Sequence, residues 1–328
     1  MTLALKDEAR RPAMSLMRRV NLAVVVFLVF YVAIGLLQPS YLEPAGAMNF
    51  LRRAAPLAIL ATGQLFVLVS GGFDLSVGSL VTLTVIGGSM LTANDPANTW
   101  WAIATLYAIG LAVGLINGAV VAWLRTPSII ATLGTLLSVN GVAMMWSGGS
   151  PRGYLPDNFR MFGRFVFHDV PLVKIFPLAI VVLAAAAALG WWGLHGTVFG
   201  RMVFAVGDNA RAAELAGVRV ARLRMAVFAI SSLAAVTAGI LLGGFGGVSV
   251  DVGQGLELQA IAACVIGGVQ LMGGRGTVVG AIAGALTMTA LFTLLTLLGW
   301  PQPLRETAQG LILIIAVAVG AWRRKRAG

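Results

Sequence analysis

The chain has 328 residues, of which 59% are apolar and only 11% charged, with 41 glycines and a formal net charge of +11. A soluble globular domain carries about 25% charged residues, so this composition excludes that class and indicates an integral membrane protein. The basic residues cluster at the ends of apolar runs, where membrane orientation accounts for them, and no nucleic-acid partner is expected.

Runs of about 17–25 residues, long enough to cross a bilayer, predict an all-α membrane protein. Ten spans are expected: 20–37, 54–70, 75–93, 100–124, 128–147, 173–194, 225–246, 256–272, 277–298 and 304–322. The first lacks a small-residue cleavage site and a polar sequel, so it reads as a retained span. Span 256–272 contains Glu257, and 304–322 opens on Arg305 and Glu306. With both termini cytoplasmic, 16 of the 23 Lys and Arg residues fall inside, as the positive-inside pattern requires. The exception is the external stretch 148–172, which with Lys174 holds Arg152, Arg160 and Arg164. The organisation is therefore a cytoplasmic segment 1–19, a transmembrane domain 20–322 and a basic cytoplasmic tail 323–328. Glycines at 110, 114 and 118, at 239, 243 and 247, and at 276, 280 and 284 recur every four residues, a spacing that lets helices approach closely in lipid.

Residues 196–224 interrupt this pattern with five arginines against Asp208 and Glu214. Each charge at the centre of a bilayer costs about 2.5–3.5 kcal/mol on insertion scales, so the segment is read as a cytoplasmic loop. Asp208 is a suitable N-cap and Gly217 suits the left-handed end of a helix. The enclosed Asn209–Ala216 makes about two turns, with Ala212, Leu215 and Ala216 on one face. A helix this short is marginal in water. It needs a partner surface, and so reads as a docking element.

Polar groups within or near the spans are Gln64, Asp74, Asn117, Asn140, Glu257 and Gln259. Asp74, in GGFDLSVGS, either caps the helix that follows it or contacts a solute. The others either bond neighbouring helices or meet a polyol or carbohydrate on its path. Trp100, Trp101 and Trp123 fall at span ends, as interfacial tryptophans do. No G-x-x-x-x-G-K-[ST] occurs, His168 and His195 stand alone, and the one cysteine, Cys264, lies in an apolar run. Neither ATP, a metal nor any other cofactor is expected on this chain, and no enzymatic activity.

GGFDLSVGS at 71–79, GLINGAVVAWLRTPSIIATLGT at 114–135, FGRMVFAVGDNARAAELAGV at 199–218 and ELQAIAACVIGGVQLMGGRGTVVGAIAGAL at 257–286 resemble the permease subunits of ribose-type sugar ABC importers. The blocks occur in order and span almost the whole chain. The resemblance implies a permease domain of about ten helices in the bacterial inner membrane, paired with a second copy or a homologue. It also implies an ABC ATP-binding subunit holding ATP and magnesium, and a periplasmic binding protein that delivers a monosaccharide. Gly207, Asp208, Asn209, Arg211, Glu214 and Gly217 match the family's ATPase-coupling segment. The chain departs from the family at Thr293-Leu294, where many members have Asn-Gly, and at Gln259, where Asp is usual. The rival expectation is an ion-coupled secondary transporter, which would want buried carboxylates at mid-span; Asp74 and Glu257 are the only candidates, and neither lies mid-span.

Overall fold

A computed structural model describes residues 22–325. The expected cytoplasmic segment 1–19 and the end of the basic tail, 326–328, lie outside the described residues. The chain runs through α1 (Leu22–Leu37), α2 (Pro44–Val69), α3 (Val77–Thr92), α4 (Thr99–Trp123), α5 (Ser128–Ser147) and α6 (Asp157–Arg164). A hairpin, β1 (Val166–Val170) and β2 (Lys174–Pro177), leads into α7 (Leu178–Trp191). Then come α8 (Val198–Leu215), α9 (Val220–Gly246), α10 (Leu256–Ile266), α11 (Val278–Leu297) and α12 (Gln302–Lys325). Among the described residues, six helical stretches are long and apolar enough to cross a membrane: Pro44–Val69, Pro96–Trp123, Ser128–Ser147, Leu178–Gly196, Val220–Gly246 and Val278–Leu297. Helices α1, α3 and α10 are apolar but shorter.

Helix α2 is the axis of the bundle, with 89% of its most apolar window buried against 17% for α5. Its neighbour α9 crosses it where Gly63 faces Ser231 and Ala234. The other face of α9 receives α4 through the 110/114/118 stripe. A Cβ at Gly114 would lie 2.7 Å from both Ala229 Cα and the Phe228 carbonyl, and one at Gly118 would fall on Met225 Cα. Gly239 and Gly243 meet Thr84 and Val85 of α3, and Gly284 of α11 sits on the Ala263 carbonyl of α10. These stripes are close backbone contacts, the geometry by which helices associate without a hydrophobic gradient between them.

The structure corrects the sequence reading in four places. The expected span 256–272 is helical only over Leu256–Ile266, about 16 Å at 1.5 Å per residue. The stretch before it, 247–255, is irregular. Its Gly247 and Gly255 take φ +77°, and Gly253 presses on the Gly78 carbonyl of α3 while its N–H donates to Thr82 Oγ1 at 3.1 Å. Such backbone is tolerated among spans only where protein covers it. Helix α2 begins at Pro44 rather than residue 54, because proline suits the first helical position. Arg52 and Arg53 therefore sit within α2, where Arg53 Nη2 donates to Tyr41 Oη at 2.9 Å and Arg52 lies over the Phe245 ring. The span expected to open at 173 starts at Leu178.

Finally, the mostly helical fold also carries one small two-stranded sheet. It is an antiparallel hairpin with Phe167 opposite Phe176 and His168 opposite Ile175, built from the β-branched and aromatic residues that favour strands.

Filling the α4–α9 contact tests this packing. Gly114→Leu is expected to destabilise the fold by about 1–3 kcal/mol through overpacking, seen as a lower thermal midpoint and yield of monodisperse protein. Gly134→Ala, at a position with open space around it, leaves both unchanged.

Candidate functional site

Helix α8 breaks at Asn209, where the backbone turns extended at φ −158°, ψ 100°. Asn209 Oδ1 accepts from the Ala212 N–H at 3.0 Å. The N-cap is therefore Asn209, one residue later than expected at Asp208, because the residue that leaves helical geometry is the one whose side chain can reach back to the third N–H. At the other end Gly217 takes φ +89°. Its N–H bonds the Glu214 carbonyl and that of Val218 bonds the Ala213 carbonyl, each at 3.0 Å, the paired pattern of a glycine-ended helix. Ala213 is buried, whereas Ala212, Leu215 and Ala216 are exposed, Leu215 at 75%. Arg211 and Glu214 project beside them and pair at 2.9 Å. The two-turn helix thus offers an uncovered apolar face fringed with charge.

Three glycine turns fasten this helix to the end of α2. A Cβ at Gly207 would fall on the Val69 carbonyl oxygen, and Gly274 donates its N–H to that same oxygen at 2.9 Å. Gly273 and Gly274 take φ +90° and +80°, and Gly71 takes +84°. The Asp208 side chain rests on Gly274, and Gly273 packs on Gly207 and on the Gly71 N–H. At each of these positions a side chain would either clash or force a left-handed residue.

Beyond Val69 the chain enters a buried polar hub. Asp74 is fully buried, and its Oδ1 accepts from Ser76 N at 3.0 Å and Ser76 Oγ at 2.6 Å. This turn precedes α3 by two residues, so Asp74 organises the helix entrance without being its cap residue. Asn117 Nδ2 donates to Ser76 Oγ at 2.9 Å, and Thr135 Oγ1 donates to Asn117 Oδ1 at 2.6 Å. The Gln64 amide faces the Asp74 backbone. Oriented to satisfy both groups, its Nε2 donates to the Asp74 carbonyl at 3.1 Å and its Oε1 accepts from the Asp74 N–H at 3.2 Å. The N–H groups of Phe73 and Leu75 donate to Ser128 Oγ and Thr132 Oγ1, each at 3.0 Å. Segment 70–76 therefore ties α2, α4 and α5 to the start of α3.

A model of the family described as branched-chain amino acid transport system / permease component matches residues 46–317. The chain belongs to this permease family. It is 36% identical over 294 residues to the autoinducer 2 import system permease protein LsrC of Salmonella typhi, covering 89% of this chain and 82% of that one. The LsrC of Klebsiella pneumoniae is 38% identical over 293 residues, with the same coverage. The ribose import permease protein RbsC of Bacillus subtilis is 35% identical over 295 residues, covering 88% of each chain. No solved structure gives a significant match. The likeness that the sequence blocks bear to ribose-type importer permeases thus holds over nearly the whole chain, which is a transport component and multi-pass membrane protein rather than a catalyst.

The permease brings together Gln64, Asp74 and Asn117 of the expected path residues, but in a buried network rather than along an open route. Asn140 lies half-buried on α5 and makes no side-chain hydrogen bond among the described residues. Glu257 and Gln259 fall in the first turn of α10, with Glu257 Oε2 against Gly78. Among the described residues no cluster of metal ligands occurs. The sequence reading passed over the pair GTVFG at 196–200 and GTVVG at 276–280. In both, the threonine hydroxyl accepts from the glycine N–H three residues on, Gly200 at 3.2 Å and Gly280 at 3.0 Å, so one short motif starts α8 and α11.

Removing the hub's centre tests whether its role is structural. Asp74→Ala is expected to leave the Ser76 donors unmet, at about 1–3 kcal/mol, and to lower the yield of folded permease on fluorescence-detected size exclusion. Asp74→Asn, which keeps the Oδ1 acceptor, restores most of it. Normal yield with lost transport in Asp74→Ala would instead assign the carboxylate a direct part in transport.

Proposed function

We propose that this permease is the membrane-spanning subunit of an ATP-driven ABC importer in the bacterial inner membrane, and that residues 207–217 are its ATPase-coupling element. The observation that carries the reading is the exposed two-turn helix after Asn209, capped at both ends and locked through Gly207 and Gly274 to the end of α2. A rigid element with an uncovered apolar face is what a motor subunit requires if it is to move the spans. On this reading Asp208 and Asn209 seat the helix on the bundle, Arg211 and Glu214 meet the ATP-binding subunit, and Gly217 fixes its end.

The topology that follows is ten spans in a permease domain 20–322, with both termini and the loop 196–224 cytoplasmic. The irregular stretch 247–255 and α10 together complete one crossing. A periplasmic binding protein delivers the solute to the opposite end, and a second copy or homologue supplies the other half of the path. The path candidates become Asn140, Glu257 and Gln259, because α5 and α10 both pack on α3 and leave these side chains partly open. Gln64, Asp74 and Asn117 serve the framework instead. The solute class is a monosaccharide or a similarly compact polar molecule, since the relatives named above are permeases for ribose and autoinducer 2. ATP and magnesium belong to the partner subunit.

The experiment is solute uptake into proteoliposomes with the permease, ATP-binding subunit and binding protein added singly and together. Uptake is expected only with all three and ATP, and uptake driven by an ion gradient alone would overturn the reading. Glu214→Arg is expected to abolish ATP-dependent uptake while membrane insertion and yield stay normal, because an exposed ion pair contributes under about 1 kcal/mol to the fold.

A further inference from the structure

We propose that the groove between α6 and the β1–β2 hairpin binds the phosphate group of an anionic membrane phospholipid. The groove has a volume of about 610 Å3, and Asp157, Arg160, Arg164, Phe165, His168 and Ile175 are among the residues that line it. Helix α6 is amphipathic. Phe159 and Gly163 are buried, and a Cβ at Gly163 would fall on the Leu241 carbonyl of α9. Residues 157, 160 and 164, spaced three and four apart, share the opposite side.

Arg160 Nε donates to the Gly244 carbonyl at 3.3 Å, which orients the guanidinium and leaves its two terminal nitrogens for a ligand. Asp157 shares the groove but lies beyond ion-pair distance of both arginines; among the described residues the one ion pair is Arg211–Glu214. That pair lies at the far end of α9, a helix of 27 residues and about 40 Å. Lys174 opens β2 beside the groove. Two of the four basic residues of the 148–174 stretch, Arg160 and Arg164, thus line one concave site, and a third, Lys174, adjoins it next to Ile175.

The surroundings favour a lipid over an acidic protein surface. Ile175 stands three residues before Leu178, where the α7 span begins, so the groove lies within about 10 Å of the span end at strand spacing. Phe165 and Phe167, edge to face at 5.0 Å, are both about half exposed, and Leu172 at the hairpin tip is 95% exposed. Cations beside exposed aromatic and aliphatic side chains at a span end suit the headgroup boundary. The arginine fork matches phosphate oxygens. An acidic protein would satisfy the arginines and leave the apolar rim without a purpose.

The test is native mass spectrometry of the full chain released from nanodiscs of phosphatidylcholine mixed with phosphatidylglycerol. The unmodified chain is expected to retain phosphatidylglycerol preferentially. Arg164→Ala should weaken retention about fivefold, the equivalent of about 1 kcal/mol per basic residue near an anionic surface, and Arg160→Ala/Arg164→Ala further still. Arg152→Ala leaves retention unchanged, and an unaltered thermal midpoint in phosphatidylcholine discs certifies the fold of each variant. Equal retention by the unmodified chain and the double variant overturns the proposal. So does displacement of the lipid by low-millimolar inorganic phosphate, which would mark a free-anion site. Unchanged lipid together with salt-sensitive loss of a delivery protein would make the groove a protein-docking face. None of these readouts requires transport, so failure here leaves the importer reading standing.

Discussion

One backbone oxygen, the carbonyl of Val69, holds the architecture together. It ends α2, the most buried of the long apolar helices, accepts from Gly274 and leaves no room for a side chain at Gly207. Three parts of the chain far apart in sequence meet there with only hydrogen atoms where side chains would otherwise stand. Contacts between backbones cannot relax by changing rotamers, as side-chain contacts do. On the proposed coupling role, a displacement of the 210–215 helix would be passed through this joint to α2.

The hub just beyond that joint obeys a different constraint. Buried polar groups must find partners inside the protein, because the surrounding medium offers none. Asp74 Oδ1, Ser76, Asn117 and Thr135 bond one another in a chain across α3, α4 and α5, while Gln64 secures the Asp74 backbone from α2 and Asp74 Oδ2 has no hydrogen-bond partner among the described residues. Segment 70–76 is irregular, so its N–H groups need acceptors, and Ser128 and Thr132 provide them. The carboxylate that looked costly from the sequence is the group that lets a non-helical stretch exist at that depth.

The sequence was legible where one residue type has one use. Gly217 in the left-handed region, the two-turn helix it ends and the 110/114/118 contact all follow from glycine's missing Cβ. Apolar run lengths located most of the helices. Three features did not follow. The N-cap fell on Asn209 because adjacent Asp and Asn are equally good acceptors, and tertiary contact of Asp208 with Gly274 decides between them. The early end of α10 at Ile266 was hidden because 267–272 is apolar enough to pass for helix, and hydropathy does not register that Gly267 must press on the Gly280 carbonyl. The hairpin was missed because its alternation is only four or five residues long and lies in a stretch dominated by Gly, Pro and charge.

The two ends of α9 show how one helix serves two surfaces of opposite demand. Near Val220 it follows directly on a segment whose stability depends on caps and on Ala213 and Val218 packing inward. A two-turn helix contributes too little by itself to persist, so its order is borrowed from the bundle, and the same borrowing makes it stiff. Near Gly244 the helix instead receives α6 through a glycine-to-glycine contact with Gly163, which seats an amphipathic helix flat on the end of the bundle. At the α6 end Gly163 and Gly244 set the distance of approach, and at both ends a polar side chain, Asn209 or Arg160, fixes the orientation. Replacing either glycine would therefore move a whole element, whereas replacing the polar residue would only loosen its angle.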